Sequence, residues 1–161
     1  MKKYIDFISN EQFVNNKQIK IYEKEKTLEI FNLLNNYFNV FIPFDDFKSD
    51  DNIVVFTMDI DDVMIGITLI KIYKNAKKVK IVFTLILEEY RGKGYNKLLL
   101  EKVEEYAKNN EFNYLIAHVR ENNISSLRSF LNYGFKKSKP KGKLFYSDTN
   151  EKKIRLSKKL T

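Results

Sequence analysis

Six residues, Arg91-Gly92-Lys93-Gly94-Tyr95-Asn96, carry the densest chemistry in this sequence. Two glycines separated by one residue let the backbone turn sharply and come close to a ligand. The apolar spacing predicts a helix from Gly94 onward, so its free N–H groups and the positive end of its dipole open into the same space. Lys93 and Lys97 add positive charge. In physical terms this is a cradle for a phosphate or pyrophosphate. It is not a Walker loop, because no Gly-Lys-Ser/Thr ends it, and it is not the dinucleotide Gly-x-Gly-x-x-Gly. Taken alone, the segment reads equally as a glycine-rich turn edged by solvated lysines.

The rest of the titratable inventory is narrow. The chain contains no cysteine and one histidine, His118. Disulfides, thiolate metal sites and cysteine nucleophiles are therefore excluded, and one imidazole cannot build a multi-histidine metal centre. No metal is expected. His118 lies near the end of an apolar strand, where it reads either as a base working near neutral pH or as an ordinary half-buried strand residue.

These residues need elements to hold them. At 161 residues, 43% hydrophobic and 14% aromatic, the chain is the size of one domain with one sizeable core. Ser9-Asn10-Glu11-Gln12 reads as a capping box opening a short helix. Ile19 to Glu23 alternates as a strand, and Thr27 caps a helix carrying Ile30, Phe31, Leu34, Tyr37 and Phe38 on one face. Ile53–Met58 and Val63–Tyr73 flank a turn at Asp59 to Asp62, and Lys78–Leu87 is a third strand. The period then changes to that of a helix through Leu99, Val103, Tyr106 and Asn110. Phe112–Val119 is a strand, Asn123 caps a second helix ending at Gly134, and Gly142–Ser147 with Lys152–Leu160 reads as a closing hairpin. Strand–helix–strand implies a parallel pair with a right-handed crossover, and hairpins on either side imply antiparallel neighbours. The predicted fold is α/β, a mixed and mostly antiparallel sheet of six to seven strands with helices on both faces.

Charge is unevenly spread. Residues 1–135 hold 19 basic and 19 acidic side chains, whereas residues 136–161 hold ten basic and two acidic, which supplies the net +8. Asp45, Asp46, Asp50, Asp51, Asp59, Asp61 and Asp62 oppose only Lys48. The basic end could attract phosphates or an acidic partner, or be a solvated strand pair in a lysine-rich sequence. No arginine-rich run or basic-aromatic platform points to nucleic-acid readout, so nucleic acid is not expected as a partner. No stretch approaches the length of a membrane span and no signal peptide is evident, so a membrane is not expected as a partner and the cytoplasm is the expected location.

Arg91, Gly92-Lys93, Gly94 and Tyr95 after the long strand, followed by Asn123, Ser126, Phe130 and Gly134-Phe135 in register, resemble the GNAT superfamily of N-acetyltransferases. The resemblance is clear over residues 78–135 and extends over 18–160. It implies a GNAT domain at 18–161, with residues 1–17 as an N-terminal extension. It also implies a splayed central parallel strand pair, with acetyl-CoA as acyl-donor co-substrate in the gap. On that reading the pantetheine arm pairs with backbone at Leu85, Ile86 and Leu87. The pyrophosphate sits on the amides of Arg91, Gly92, Lys93, Gly94, Tyr95, Asn96 and Lys97. Asn123, Ser126 and Phe130 belong to the donor site, Asn123 either bonding the pantetheine or ordering the helix start. The resemblance implies that the Leu87 N–H polarises the thioester carbonyl, and that an acetyl group passes to a primary amine, on a small molecule or a protein, by direct attack in a ternary complex. A homodimer is compatible with it.

The sequence departs from that family pattern in three places. Phe130 stands where the general-acid tyrosine is usual and has no proton to give; Tyr133, about one turn on, is the substitute candidate. Asn96 replaces the last small residue of the cradle, and Glu88 replaces a proline. Lys80, Val82 and Thr84 stand where relatives place a carboxylate base, which leaves His118, Glu88, Glu89, the hairpin aspartates or water. The acidic loop at Asp45 to Asp51 favours a cationic amine, and the basic closing segment favours an acidic acceptor. The departures also motivate a second reading, an acyl-CoA-binding module with little catalysis and a sensor or regulatory role.

Overall fold

The computed structural model describes residues 11–14, 17–38, 42–139 and 152–161. Among these residues, eight strands form one sheet: β1 (Glu11–Val14), β2 (Lys17–Lys24), β3 (Ile53–Ile60), β4 (Val63–Tyr73), β5 (Lys78–Ile86), β6 (Tyr114–Arg120), β7 (Lys136–Lys137) and β8 (Lys153–Lys159). The spatial order is β1-β2-β3-β4-β5-β6-β8-β7. Among the described residues, only β5 and β6 run parallel. The helices are α1 (Leu28–Tyr37), α2 (Phe44–Ser49), α3 (Tyr95–Asn109) and α4 (Ile124–Tyr133). This is the expected mixed fold: six of the six to seven anticipated strands are here, and the two short edge strands β1 and β7 are additions.

Local signals explain most boundaries. The β3–β4 turn places Asp61 and Asp62 at φ 48° and 68°. Two successive left-handed residues match the twist of a tight hairpin, and aspartate tolerates that region better than most side chains. The Thr27 side chain accepts from the Ile30 N–H at 3.3 Å and opens α1. Asn123 Oδ1 accepts from the Ser126 N–H at 3.2 Å and opens α4. The proposed helix opening at Ser9 to Gln12 is not what Glu11 and Gln12 do: they lie in β1 and pair with Lys20 and Ile19. Such pairing is a tertiary effect that outweighs a local capping signal. The expected strand at Gly142–Ser147 lies outside the described residues.

Both sheet faces are covered. On one, α3 and α4 bury Leu99, Leu100, Val103 and Phe130 against Val54, Phe56, Val79, Ile81 and Leu115. On the other, α1 and α2 bury Ile30, Leu34 and Phe47 against Ile53, Val55, Ile67 and Leu69. Each fully buried aliphatic or Phe side chain contributes about 1.5–3 kcal/mol, so both walls are firmly packed. A bulge between Leu69 and Ile70 leaves Val82 as an extra residue in β5. One extra residue reverses the alternation for everything after it. Val79 and Ile81 accordingly face α3, whereas beyond the bulge Ile86 does so and Phe83 and Leu85 face α1.

The parallel pairing is short. It runs from Lys78↔Tyr114 to Ile81↔Ala117. Beyond it β5 stays bonded to β4 as far as Ile86↔Gly66, and β6 stays bonded to β8 as far as Arg120↔Lys153. The inner edges therefore part while the outer edges are held, which leaves a V-shaped gap in the sheet. Gly66 closes β4 onto the end of β5: a Cβ there would lie 2.8 Å from Ile86 Cδ1. Among the described residues, no helix is long and apolar enough to cross a membrane.

Candidate functional site

The gap exposes backbone, and the ladder decides which backbone. Bonded and non-bonded pairs alternate along an antiparallel ladder. The Leu87 N–H donates to the Ile65 carbonyl at 2.8 Å. By alternation Leu85 also faces β4, and the N–H groups of Thr84 and Ile86 face the gap. The same direction holds for the Ile86 carbonyl, which accepts from Arg91 Nε at 2.8 Å on that side. The expectation of a carbonyl-polarising donor at Leu87 is therefore corrected. That N–H is already bonded, because the bulge at Val82 shifts the alternation by one. The two gap-facing donors are Thr84 and Ile86.

At the open end of β5 a single 3-10 turn (Glu88–Tyr90) leads into the glycine segment. Gly92 and Gly94 have φ 74° and 82°. A Cβ built on either would meet nothing within 4 Å. The glycines are thus required by backbone conformation, and the space beside them is open. Two of the seven anticipated amides are already committed: the Arg91 N–H donates to Glu88 O and the Lys97 N–H to Gly94 O, both at 3.2 Å. The donors left for an anion are those of Gly92, Lys93, Gly94, Tyr95 and Asn96, at the start of α3 where the dipole favours negative charge. The Tyr95 ring is buried in the core and contributes only its amide. Lys93 Nζ lies 5.8 Å from the Tyr90 ring centre, and Lys97 pairs with Glu101 at 4.0 Å. Asn96 does not crowd the cradle, since its Nδ2 donates to Ser129 Oγ on α4 at 2.8 Å. That bond ties the start of α3 to the middle of α4. Ser129 was not anticipated, because nothing in its local sequence marks it.

The other anticipated residues do not converge. Asn123 and Ser126 form the α4 cap. Phe130 is a core residue, edge-on to Phe135 at 5.0 Å. The Tyr133 hydroxyl donates to Glu104 at 2.7 Å, and Lys158 Nζ donates to the same carboxylate at 2.8 Å and sits 4.3 Å from the Tyr133 ring centre. Burial and the Glu104 carboxylate push the Tyr133 phenol up, away from any proton-donating role near neutral pH. Burial opposes the charge on Glu104, yet its bonds from Lys158, Tyr133 and Lys108 hold the carboxyl down at about 2. This cluster clamps α3, α4 and β8 to one another. His118 lies on the opposite face of the sheet, just past the last β5–β6 pair. Burial first, then the charges of Lys80, Arg155, Lys153 and Lys78, push its pKa down to about 4. It is a neutral but weak base at pH 7 and is not in contact with Tyr133. Among the described residues, no three His, Asp or Glu side chains gather as a metal site would require.

The arrangement can hold an extended ligand that presents a backbone-like edge to β5 and an anion to the glycine turn. A model of the Acetyltransferase (GNAT) family matches residues 15–135. No curated protein matches by sequence. Among solved structures, a mutant spermidine N-acetyltransferase of Vibrio cholerae is similar at TM-score 0.72 and 17% identity, over 88% of this chain and 93% of that one. A ribosomal-protein alanine N-acetyltransferase of Escherichia coli aligns at TM-score 0.69 and 16% identity, over 88% and 93%. An N-acetyltransferase of Thermoplasma acidophilum, solved with coenzyme A, aligns at TM-score 0.59 and 22% identity, over 73% and 67%.

Proposed function

Because the chain belongs to the GNAT family of acetyltransferases, we propose that it transfers an acetyl group from acetyl-CoA to a primary amine by direct attack in a ternary complex. The observation that carries this reading is the gap between β5 and β6, with two unpaired-edge N–H donors on one side and an open glycine turn at its end. Bound acetyl-CoA would supply the acyl group as an activated thioester. The residues present fit it. Thr84 and Ile86 offer N–H donors to a pantetheine arm and to the acyl oxygen, and the amides of Gly92 to Asn96 take the pyrophosphate. A fixed donor facing a developing oxyanion lowers the barrier without reorganisation. Positioning the amine beside the gap supplies much of the rest. No cysteine exists to carry the acyl group. With Phe130 and Tyr133 both unable to donate, protons leave and return through water. We read residues 18–161 as the catalytic domain and 1–17 as an extension. The absence of cysteine suits a reducing compartment, and we place the protein in the cytoplasm.

Thermal unfolding with and without acetyl-CoA, followed by thiol release with a polyamine, an amino sugar and a peptide N-terminus as acceptors, tests the proposal. Acetyl-CoA at about 100 times its dissociation constant stabilises by about 2.7 kcal/mol. Amine-dependent thiol release supports the transferase, and no stabilisation contradicts it. The committed Tyr133 hydroxyl favours one second reading, a CoA-binding module with little catalysis, for which stabilisation occurs with no thiol release under any amine. Tyr133→Phe separates a structural role from a catalytic one. It should leave kcat within about twofold, while removing a hydrogen bond to a charged group costs about 1.5–3 kcal/mol of stability. A large fall in kcat at unchanged stability would return Tyr133 to the chemistry.

A further inference from the structure

The face of the sheet opposite α3 and α4 is divided. α1 and α2 cover β3, β4 and the second half of β5. The adjoining half, formed by β5, β6 and β8, carries cations. Register puts Lys71 beside Lys80, Lys80 beside Ile116, and His118 beside Arg155. These residues alternate with Val79, Ile81, Leu115, Ala117 and Leu156, which pack toward α3 and α4, so all of them share the other face. Lys78 and Lys153 complete the ring of charge felt by Lys80 and His118. Among the described residues, the charges that act on Lys80 and His118 are all cationic. Lys80 and His118 are both half-buried. Lys71 and Lys80 have no ion pair or hydrogen bond among the described residues. Arg155 is oriented by Ser138 Oγ at 3.4 Å and the Lys139 carbonyl at 3.3 Å.

Half-buried like charges converging on one imidazole are costly to a fold unless something compensates them. The strain is local and placed at a functional position, because the last β5–β6 pair is Ile81↔Ala117 and His118 is the next residue of β6. The ring therefore sits at the closed end of the gap, on the face away from the glycine turn. Lys80 and Thr84 lie opposite Lys71 and Thr68, three register steps or about 10 Å apart along the sheet. That is the reach of a small molecule carrying an anion at one end and an amine at the other.

We propose that Lys80, His118 and Arg155 form a binding site for a compact oxyanion, the phosphate or carboxylate group of the acceptor. The acceptor assignment rests on the transferase reading above; the anion site itself does not. A bound oxyanion accepts hydrogen bonds from the Lys80 ammonium and the Arg155 guanidinium. It also favours the protonated imidazole, turning His118 into a third donor.

The single histidine makes the test direct, because its ring-proton NMR signals have no overlap from another histidine. The full chain is titrated from pH 3 to 8 in sodium chloride and in inorganic phosphate at matched ionic strength. Phosphate should raise the His118 pKa by about 1–3 pH units over the chloride control. Lys80→Met should raise it in chloride alone, since one repelling charge is gone, and should weaken the response to phosphate at least tenfold. Arg155→Gln should weaken it as well. An unchanged titration in phosphate overturns the proposal. So does a response to a ten-residue oligouridylate at micromolar concentration with none to millimolar phosphate, which would make the face a polyanion track. Steady-state rates with glucosamine and glucosamine 6-phosphate separate the acceptor from free phosphate as the source. A preference for the phosphorylated amine of at least tenfold in kcat/KM, lost in Lys80→Met, is the expected result. Equal rates overturn the acceptor assignment. Stabilisation by acetyl-CoA is measured on the same samples, so loss of the donor site and loss of the anion site are told apart.

Discussion

Proline at position 84 or 86 should abolish most of the activity while leaving the sheet assembled. Each substitution deletes one N–H that faces the gap and has no partner on β6. Proline is tolerated in a strand where its missing donor lies on an unpaired edge. One of the two should lower kcat by about 10²–10³-fold, the usual effect of losing a single oxyanion donor. The other should act on acetyl-CoA affinity through the arm of the ligand. Leu85→Pro is the control with the opposite signature. Its N–H belongs to the β4 ladder, so removing it leaves a buried acceptor unpaired and should cost about 1–3 kcal/mol of stability. Steady-state kinetics and urea unfolding on the wild type, these three variants and Leu87→Pro, whose N–H is likewise bonded to β4, check the pattern. If Leu87→Pro cost kcat and the two gap-facing prolines did not, the assignment of donors would be wrong.

Gly94→Trp should raise the dissociation constant of acetyl-CoA by about 100-fold, or 2.7 kcal/mol. Two effects add. Gly94 sits at φ 82°, where an L side chain costs roughly 1–2 kcal/mol. Its Cβ also opens onto empty space within 4 Å, so the indole enters the cradle and not the core. The protein should therefore keep its fold and lose its ligand. Isothermal titration, with circular dichroism as the fold check, decides it. Unchanged affinity would show that the pyrophosphate does not lie against this turn.

The elements that hold the site were legible from local signals. The change of period after Leu87, the two glycines, the Asn123 cap and the Gly134 stop all act within a few residues, and each appears where the spacing predicts it. What was not legible depends on partners far along the chain. The bulge at Val82 is a mismatch between β4 and β5. It reverses which residues of β5 face the gap, and no feature of Val82 announces it. The same holds for Tyr133, whose partner Glu104 is 29 residues away. On its own strand His118 reads either as a neutral-range base or as an ordinary half-buried strand residue, and half-buried is what it is. Its pKa is pushed down first by burial and then by cations brought from β5 and β8, which a one-strand reading cannot assemble. The edge strand Glu11–Val14 shows the reverse error, where a capping pattern was available and pairing with β2 prevailed.

The central claim is that the inner edge of β5 holds the acyl donor through alternate amides. Backbone amide protection, followed residue by residue with and without CoA, tests it most directly. The account predicts that the Thr84 and Ile86 amides gain protection on binding, together with those of Gly92 to Asn96, while Leu85 and Leu87 are protected in both states. Protection that leaves Thr84 and Ile86 unchanged at saturating CoA would contradict it.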